Sequence, residues 1–171
     1  MSMSKKSIDQ AMGKTQSQIL SATLTLFTQK GYFNTSVHDI SRESGVSIGS
    51  IYHHFKDKEG VARALYNNLI ERMIEELNMI RNLHDYAHVR CRPVVELLFH
   101  ITETEPEEME FMLYAKHREF LPNETPVCSS EPFKIMRELV RNGMLSGEIR
   151  VMDVMVASTC LFGGAIRMVT S

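Results

Sequence analysis

The 171-residue sequence contains few cysteines and no motif that pairs them. Cys91, Cys128 and Cys160 are odd in number, far apart and without a Cys-x-x-Cys spacing. This pattern is typical of reduced thiols inside a cell and argues against a disulfide-stabilised secreted domain. Residues 1–14 are polar and hold no uninterrupted apolar span, so they predict a disordered arm rather than a signal peptide. We therefore expect a cytoplasmic protein.

Proline is absent from the first half of the chain, and strand patterns are absent throughout. No proline precedes Pro93, whereas five lie between Pro93 and Pro132. The first half is therefore free to form uninterrupted helices joined by short turns. No segment alternates apolar and polar residues, and no Asn-Gly turn joins two β-branched runs. The sequence predicts an all-α fold.

The sequence also lacks the common catalytic motifs. It has no nucleophile elbow, no phosphate-binding glycine loop and no His-Glu-x-x-His. We therefore expect no enzymatic activity and no cofactor.

Charge is nearly balanced overall but unevenly distributed. The net charge is −2, yet residues 1–70 hold eight Lys/Arg and five Asp/Glu, whereas residues 71–171 hold eleven and sixteen. A basic N-terminal part suits a surface that faces nucleic-acid phosphates, and an acidic remainder suits a solvated body kept away from them.

Residues 36–55 predict two short helices joined by a tight turn. Ser36, with Asp39 three residues on, forms the pattern of a capping box at the start of the first helix. Gly45 is a helix stop, because a residue without a Cβ adopts φ > 0 at little cost. Ser47 can cap the second helix. The pair predicts a helix-turn-helix, whose second helix enters a DNA major groove.

The second helix of this pair has one apolar face and one polar face. Ile48, Ile51 and Phe55 are spaced to face the core. The residues left on the outer face are Gly49, Ser50, Tyr52 and His53.

Several short runs in this region resemble the DNA-binding signature of the TetR family of bacterial transcriptional regulators. They are Gly45-Val46-Ser47, the run from Gly49 to Phe55, and Lys58-Glu59. The similarity continues upstream through Ile19-Leu20, Ala22, Leu26-Phe27 and Gly31-Tyr32, so it covers roughly residues 15–65. Two positions depart from the family pattern. Ser41 stands where alanine is usual, and Ile48 where a polar or basic residue is frequent.

The resemblance implies a homodimer that binds a near-palindromic double-stranded DNA operator and releases it when a small ligand binds. It divides the chain into a disordered arm (1–14), a helix-turn-helix domain (15–60) and a helical effector-binding and dimerisation domain (61–171). The family usually has one helix more than the sequence offers after residue 153, so we expect the body to lack its last helix. An activator, or a DNA-binding protein without an effector, is an alternative that the sequence leaves open.

Seven residues are predicted to contact DNA. Ser36 at a helix N-terminus and Lys58 at the start of the next helix suit phosphate oxygens. Gly49 permits close backbone approach. The remaining four, which suit phosphates or base edges, are Ser47, Ser50, Tyr52 and His53.

Helical spacing continues through the body. We expect a long helix over 57–82, a short one over 93–103, one that carries Met109 to Phe120 without a break, one over 130–142 closed by Gly143, and one over 153–170. Thr104 with Glu107 predicts a second capping box.

The last of these helices is apolar almost all round, which requires burial on every side. A membrane span over Val151–Val169 is long enough, but Asp153 and Arg167 argue against it. We therefore expect no membrane partner and a dimer interface instead. Its candidate residues are Leu161, Phe162, Gly164 and Ile166.

Aromatic and methionine side chains between residues 99 and 136 predict an adaptable cavity for a small apolar or amphipathic ligand. Its candidate residues are Phe99, His100, Met109, Met112, Tyr114, His117 and Phe133. The alternative for each is an ordinary place in the core.

A metal- or redox-responsive regulator is a second alternative. His84, His88 and Cys91 have metal-ligand identities and would share one face of a continuous helix. The competing interpretation is a polar helix end with solvated histidines, so no metal site is assigned.

Overall fold

The computed structural model of the protein describes residues 13–83 and 87–169, without the side chains of residues 83, 87–89 and 169. These residues form helices and turns and no β-strand, which confirms the all-α prediction. The α-helices are α1 (Lys14–Lys30), α2 (Val37–Ser44), α3 (Ile48–Phe55), α4 (Lys58–Leu83), α5 (Ala87–Thr104), α6 (Pro106–Tyr114), α7 (His117–Phe120), α8 (Glu131–Leu145), α9 (Val154–Ser158) and α10 (Gly164–Val169). A 3₁₀ turn covers Val127–Ser129 and a π-helical turn covers Thr159–Gly163.

The first compact unit comprises residues 13–69 and Tyr114–Glu124. It contains α1 to α3, the start of α4, and α7. Its core is a continuous apolar set in which α1 supplies the largest share. The buried members are Ile19, Leu20, Leu24, Leu26, Phe27, Ile40, Ile51, Phe55, Val61, Leu65, Tyr66, Leu69, Phe120 and Leu121. Helix α1 ends at Gly31, whose φ of 80° lies in the region that favours glycine.

The second compact unit comprises residues 70–83, 87–113 and 125–169. Its core joins the later part of α4 to α5, α6, α8, α9 and α10. The most deeply buried members are Leu77, Val94, Leu139, Val140 and Phe162. The boundary between the units therefore falls inside α4, and the first unit also takes in residues 114–124, which the sequence had placed in the body.

A charged cluster is held inside the second unit. The two terminal guanidinium nitrogens of Arg72 reach Glu108 Oε1 and, at 2.9 Å, Glu105 Oε2. All three side chains are less than one fifth exposed. Burial, reinforced by a hydrogen bond with Glu105, raises the pKa of Glu108 to about 7. The cluster ties α4 to the junction of α5 and α6.

Several helix boundaries differ from the prediction. Helix α5, predicted over 93–103, begins at Ala87 with Pro93 inside it, and the helix predicted over 153–170 is divided into α9, the π-helical turn and α10. The segment from Met109 to Phe120 is broken after Tyr114, where His117 N donates to Ala115 O at 2.8 Å around Lys116. Helix α8 runs past Gly143, which is buried, to Leu145. Thr104 does not form the predicted capping box with Glu107. It is the last residue of α5, and its hydroxyl donates a hydrogen bond to the His100 carbonyl at 2.7 Å.

Within the described ranges, no helix has both the length and the apolar character required to cross a membrane.

Candidate nucleic-acid interface and effector cavity

A reciprocal capping box fixes the start of α2. Asp39 N donates to Ser36 Oγ at 3.1 Å, while Ser36 N and Oγ donate to Asp39 Oδ2 at 2.9 and 2.6 Å. These two bonds from Ser36 lower the pKa of Asp39 to about 2. The predicted box is confirmed, and Ser36 lies exposed at the helix N-terminus as a phosphate contact would require.

Side-chain bonds close the turn between α2 and α3. Gly45 follows α2 with φ 69°, in the left-handed region. Ser41 Oγ donates to the Val46 carbonyl at 2.7 Å, and Val46 N donates to Ser44 Oγ at 3.2 Å. The corner is therefore bonded on both sides of Val46, which fixes the angle at which α3 leaves α2.

Helix α3 presents a polar, open face. Ser50 N donates to Ser47 Oγ at 3.2 Å, so Ser47 caps the helix as predicted. Ile51 and Phe55 are buried against the core of the first unit. Tyr52 is 49% exposed, and a Cβ placed on Gly49 would meet nothing within 4 Å. The predicted outer residues Ser47, Gly49, Tyr52 and His53 are all exposed, and Ser50 is half-buried.

Lys58 has internal hydrogen-bond partners, and its contact with a DNA phosphate stays a prediction. Its Nζ donates to the carbonyls of Tyr32 and Thr35, each at 2.9 Å, and lies 4.1 Å from the centroid of the Tyr32 ring. Partial burial lowers the pKa of this amine. The ammonium therefore fixes the segment that leads into α2, and a phosphate contact would have to compete with two hydrogen bonds.

An aromatic cluster joins α7 to the same segment. The rings of Tyr32 and Phe120 are nearly parallel, with centroids 4.3 Å apart, and Phe27 lies beside both. Tyr32 therefore contacts Phe120 and the Lys58 ammonium.

An apolar cavity of about 40 Å³ lies inside the second unit. Three predicted effector residues, Met109, Met112 and Phe133, line it together. Its other lining residues are Met73, Leu98, Leu113, Val127, Ser130, Pro132, Met136 and Ile166. A ligand of drug size needs roughly 300–1,000 Å³, so the cavity must open to admit one. Four methionines make that feasible, because their unbranched side chains repack easily.

The other four predicted effector residues lie elsewhere. His100 and Tyr114 are exposed, and Phe99 packs beside the core cluster of the second unit. His117 belongs to the first unit, where its ring lies 4.9 Å from that of Tyr66 and burial lowers its pKa to about 4. None of the four lines the cavity with Met109: Phe99 and His100 lie on α5, Tyr114 is the last residue of α6, and His117 follows that helix.

An exposed apolar surface runs along α9, the π turn and α10. Met155 is 57% exposed, and Val156, Leu161 and Met168 are exposed as well. Of the predicted interface residues, Leu161 and Gly164 lie on the surface and Ile166 is half-buried. Phe162 is only 2% exposed and belongs to the core of its own subunit, which corrects its assignment. Sequence reasoning missed Met155, Val156 and Met168 because both faces of this segment are apolar.

The predicted metal-ligand set falls largely beyond the described residues. His84 lies outside them, as does the side chain of His88, and Cys91 is half-buried with its thiol pKa raised by burial. Among the residues that the structure does describe, no group of three or more His, Cys, Asp or Glu could hold a metal ion.

The family model for bacterial regulatory proteins of the tetR family matches residues 19–65, which run from α1 into α4. This N-terminal segment is therefore similar to bacterial regulatory proteins of the tetR family. The matched segment contains the capped α2, the bonded turn and the open face of α3.

Sequence similarity to known transcriptional regulators is strongest in this N-terminal part. The transcriptional regulator HbdR of Aromatoleum sp. (strain CIB) is 37% identical over 60 residues, which is 35% of this chain and only 26% of HbdR. The fatty acid metabolism regulator protein of Bacillus subtilis (strain 168) is 24% identical, with 90% of this chain and 81% of that protein covered.

Similarity of fold extends over nearly the whole chain. The crystal structure of the transcriptional regulator FadR from Bacillus subtilis in complex with stearoyl-CoA gives a TM-score of 0.77 at 23% identity, covering 90% of this chain and 84% of that one. At this identity the likeness establishes a shared fold and nothing further.

Ser41, one of the two positions that depart from the TetR pattern, makes a hydrogen bond in the helix-turn-helix corner. Ser41, where the resemblance leads us to expect alanine, donates to the Val46 carbonyl in the helix-turn-helix corner. A buried or half-buried hydrogen bond of this kind contributes about 1 kcal/mol. The small residue thus permits close helix approach and also bonds the turn.

Proposed function

We propose that the protein is a homodimeric repressor that binds a near-palindromic DNA operator in the cytoplasm and releases it on binding a ligand with a hydrocarbon chain. The observation that carries the proposal is the open face of α3. Caps at Ser36 and Ser47 and the bonded turn hold this helix rigidly, while its outer residues are exposed. A rigid, exposed second helix is what docking in a major groove requires.

We assign the residues of this face two roles: some bind phosphates and so position the helix, and others contact base edges and so recognise the DNA sequence. Ser36 and Ser47 lie at helix N-termini, where backbone N–H groups favour phosphate oxygens. Gly49 lets the α3 backbone approach the groove closely. His53 and Ser50 are assigned to base edges, and Tyr52 to the backbone beside them. A dimer carries two helix-turn-helix domains, here called heads. They would contact half-sites whose centres are about one DNA helical turn, or a multiple of it, apart.

The ligand class is argued from the cavity. All its lining residues are apolar except Ser130, so it suits a hydrocarbon portion of a ligand and offers almost no site for charge. The fatty acid metabolism regulator of Bacillus subtilis is a relative, and FadR from that species has been crystallised with stearoyl-CoA. These likenesses support an acyl chain as the first ligand to test.

Release follows if the ligand prefers an opened cavity. Met109, Met112 and Leu113 of α6 line the cavity, and α6 leads within two residues to α7, whose Phe120 ring contacts Tyr32. A ligand that enlarges the cavity would shift α6 and, through Phe120, the segment before α2. Only a ligand with different affinity for the two states can shift their populations.

The test compares operator and random-sequence DNA for variants of α3. Changing His53 to Ala should weaken binding to the selected operator by about tenfold, since a good base contact is worth about 1–3 kcal/mol, and should leave random-sequence affinity unchanged. Tyr52→Ala should weaken both equally, because phosphate contacts carry no sequence information. Fluorescence anisotropy with labelled duplexes measures both affinities. Unchanged binding of both DNAs by both variants would remove α3 from the interface.

A further inference from the structure

The chain passes from α3 to α4 through a turn of two residues. Asp57 N donates to the Phe55 carbonyl at 2.8 Å, which closes a γ-turn around Lys56. Lys56 has φ 66° and ψ −47°, the one positive φ at a non-glycine residue in the described ranges. A γ-turn with positive φ at its centre is rare and strained for a residue that carries a Cβ.

Nothing in the backbone of this turn requires lysine. Glycine would adopt the same φ without the Cβ penalty. The chain does use glycine where close approach demands it: a Cβ on Gly60 would lie 1.9 Å from the Phe55 carbonyl oxygen. Lysine at position 56 therefore adds a side chain, and with it a charge, to a place that disfavours one. Strained backbone conformations such as a positive φ at a residue with a Cβ cluster at functional sites.

The charge of Lys56 is available to a partner outside the chain. The residue is exposed and makes no ion pair with any residue that the structure describes. Nearby cations differ in this respect. Arg42 is paired with Asp39, Arg63 with Glu59 and Glu124, and Lys58 donates to two carbonyls.

We infer that Lys56 is a phosphate-binding residue of the DNA interface, held at the end of α3 by the strained turn. The inference rests on the proposed function and adds Lys56 to the residues predicted to contact DNA. A lysine directly after the exposed helix lies beside the strand that flanks the groove, and its ammonium binds phosphate as a point charge.

Substitution at this position should change stability and DNA binding in opposite directions. Lys56→Gly relieves the strain, so the melting temperature should rise by about 2–4 °C. It also removes one phosphate contact per head, so the log–log salt slope should fall by about two units per dimer and affinity for operator and random DNA should fall about tenfold. Lys56→Asn tolerates positive φ without charge and should lose the same affinity. Lys56→Arg should retain it.

Arg141→Gln is the matched control, because it removes one exposed positive charge from α8 in the second unit. It should leave the slope unchanged. A Lys56→Gly protein with wild-type slope and affinity overturns the inference, as does one whose melting temperature falls. If the wild-type dimer itself binds neither operator nor random duplex, the proposed function fails, which is a distinct result.

Discussion

At the scale of single residues, the turn into α4 requires glycine at position 60, because there is no room for a Cβ. A Cβ on Gly60 would lie 1.9 Å from the Phe55 carbonyl oxygen, and backbone cannot move away as a flexible side chain can. Gly60→Ala should therefore destabilise the protein by about 1–3 kcal/mol in urea unfolding, a cost typical of overpacking. Gly49→Ala is the control: nothing lies near its Cβ, so stability should be unchanged or raised by up to about 1 kcal/mol. Equal stability of the two variants would contradict the close approach.

Glu108 predicts a pH dependence of stability. Its folded pKa of about 7 lies above its ordinary value of 4.5, so between these values the folded state binds more protons than the unfolded state. The contribution of Glu108 to the free energy of unfolding should then fall by up to about 3 kcal/mol as pH rises from about 4.5 to about 7, and stay low above that. His117 acts in the opposite direction, because burial lowers its pKa to about 4.

The contribution of Glu108 is isolated by difference. Relative to wild type, Glu108→Gln should lose the part of the free energy of unfolding that falls with rising pH. Glu110→Gln, on the exposed side of α6, should keep the wild-type pH dependence. Denaturant unfolding at pH 5 and pH 8 gives the comparison. Parallel pH profiles for wild type and Glu108→Gln would show that the carboxyl near Arg72 titrates normally.

At the scale of elements, α9, the π turn and α10 expose apolar side chains that a partner subunit can cover. Met155→Glu places a charge on this surface without touching the core, so it should yield a folded monomer in analytical ultracentrifugation. Met79→Glu is the control, because Met79 is a similarly exposed methionine on α4. A Met155→Glu dimer of wild-type affinity would place the interface elsewhere. Phe162→Glu is not a suitable variant for this test. It would bury a charge in the core and so disturb folding as well as assembly.

Local signals account for the elements that sequence reasoning placed well. The boundaries of α2 and α3 follow from Ser36, Gly45 and Ser47, whose effects act within three or four residues. The break between α6 and α7 has no such signal, since neither glycine nor proline lies between Met109 and Phe120. It coincides with the packing of Phe120 on Tyr32, a contact that is distant in sequence. For this reason the sequence could not show that Tyr114 and His117 lie outside the lining of the cavity that contains Met109.

The same limit applies to the charges and to the last helix. The sequence pattern predicts a DNA contact for Lys58 and not for Lys56, because only backbone geometry shows that Lys56 is exposed in a strained turn while Lys58 donates to two carbonyls. In α9 and α10 apolar residues cover every face, so periodicity cannot separate the core position of Phe162 from the surface position of Met155.

At the scale of the whole molecule, DNA affinity and assembly are linked. A dimer binds its second half-site at high effective concentration, so the Met155→Glu monomer should bind the operator weaker by about 10²–10⁴-fold while each head remains folded. The account therefore predicts that loss of the exposed face of α3 abolishes DNA binding, and that loss of the α9–α10 surface lowers the affinity.

Selection of bound sequences from random double-stranded DNA by the full-length protein tests the central claim most directly. The account predicts enrichment of two inverted half-sites with a fixed spacing, because two identical heads related by a two-fold axis must read the same sequence in opposite orientations. The Met155→Glu monomer should enrich a single half-site. Failure of the wild-type protein to enrich any sequence, or enrichment of an asymmetric one without repeats, would contradict the assignment of α3 as the DNA-reading helix of a symmetric dimer.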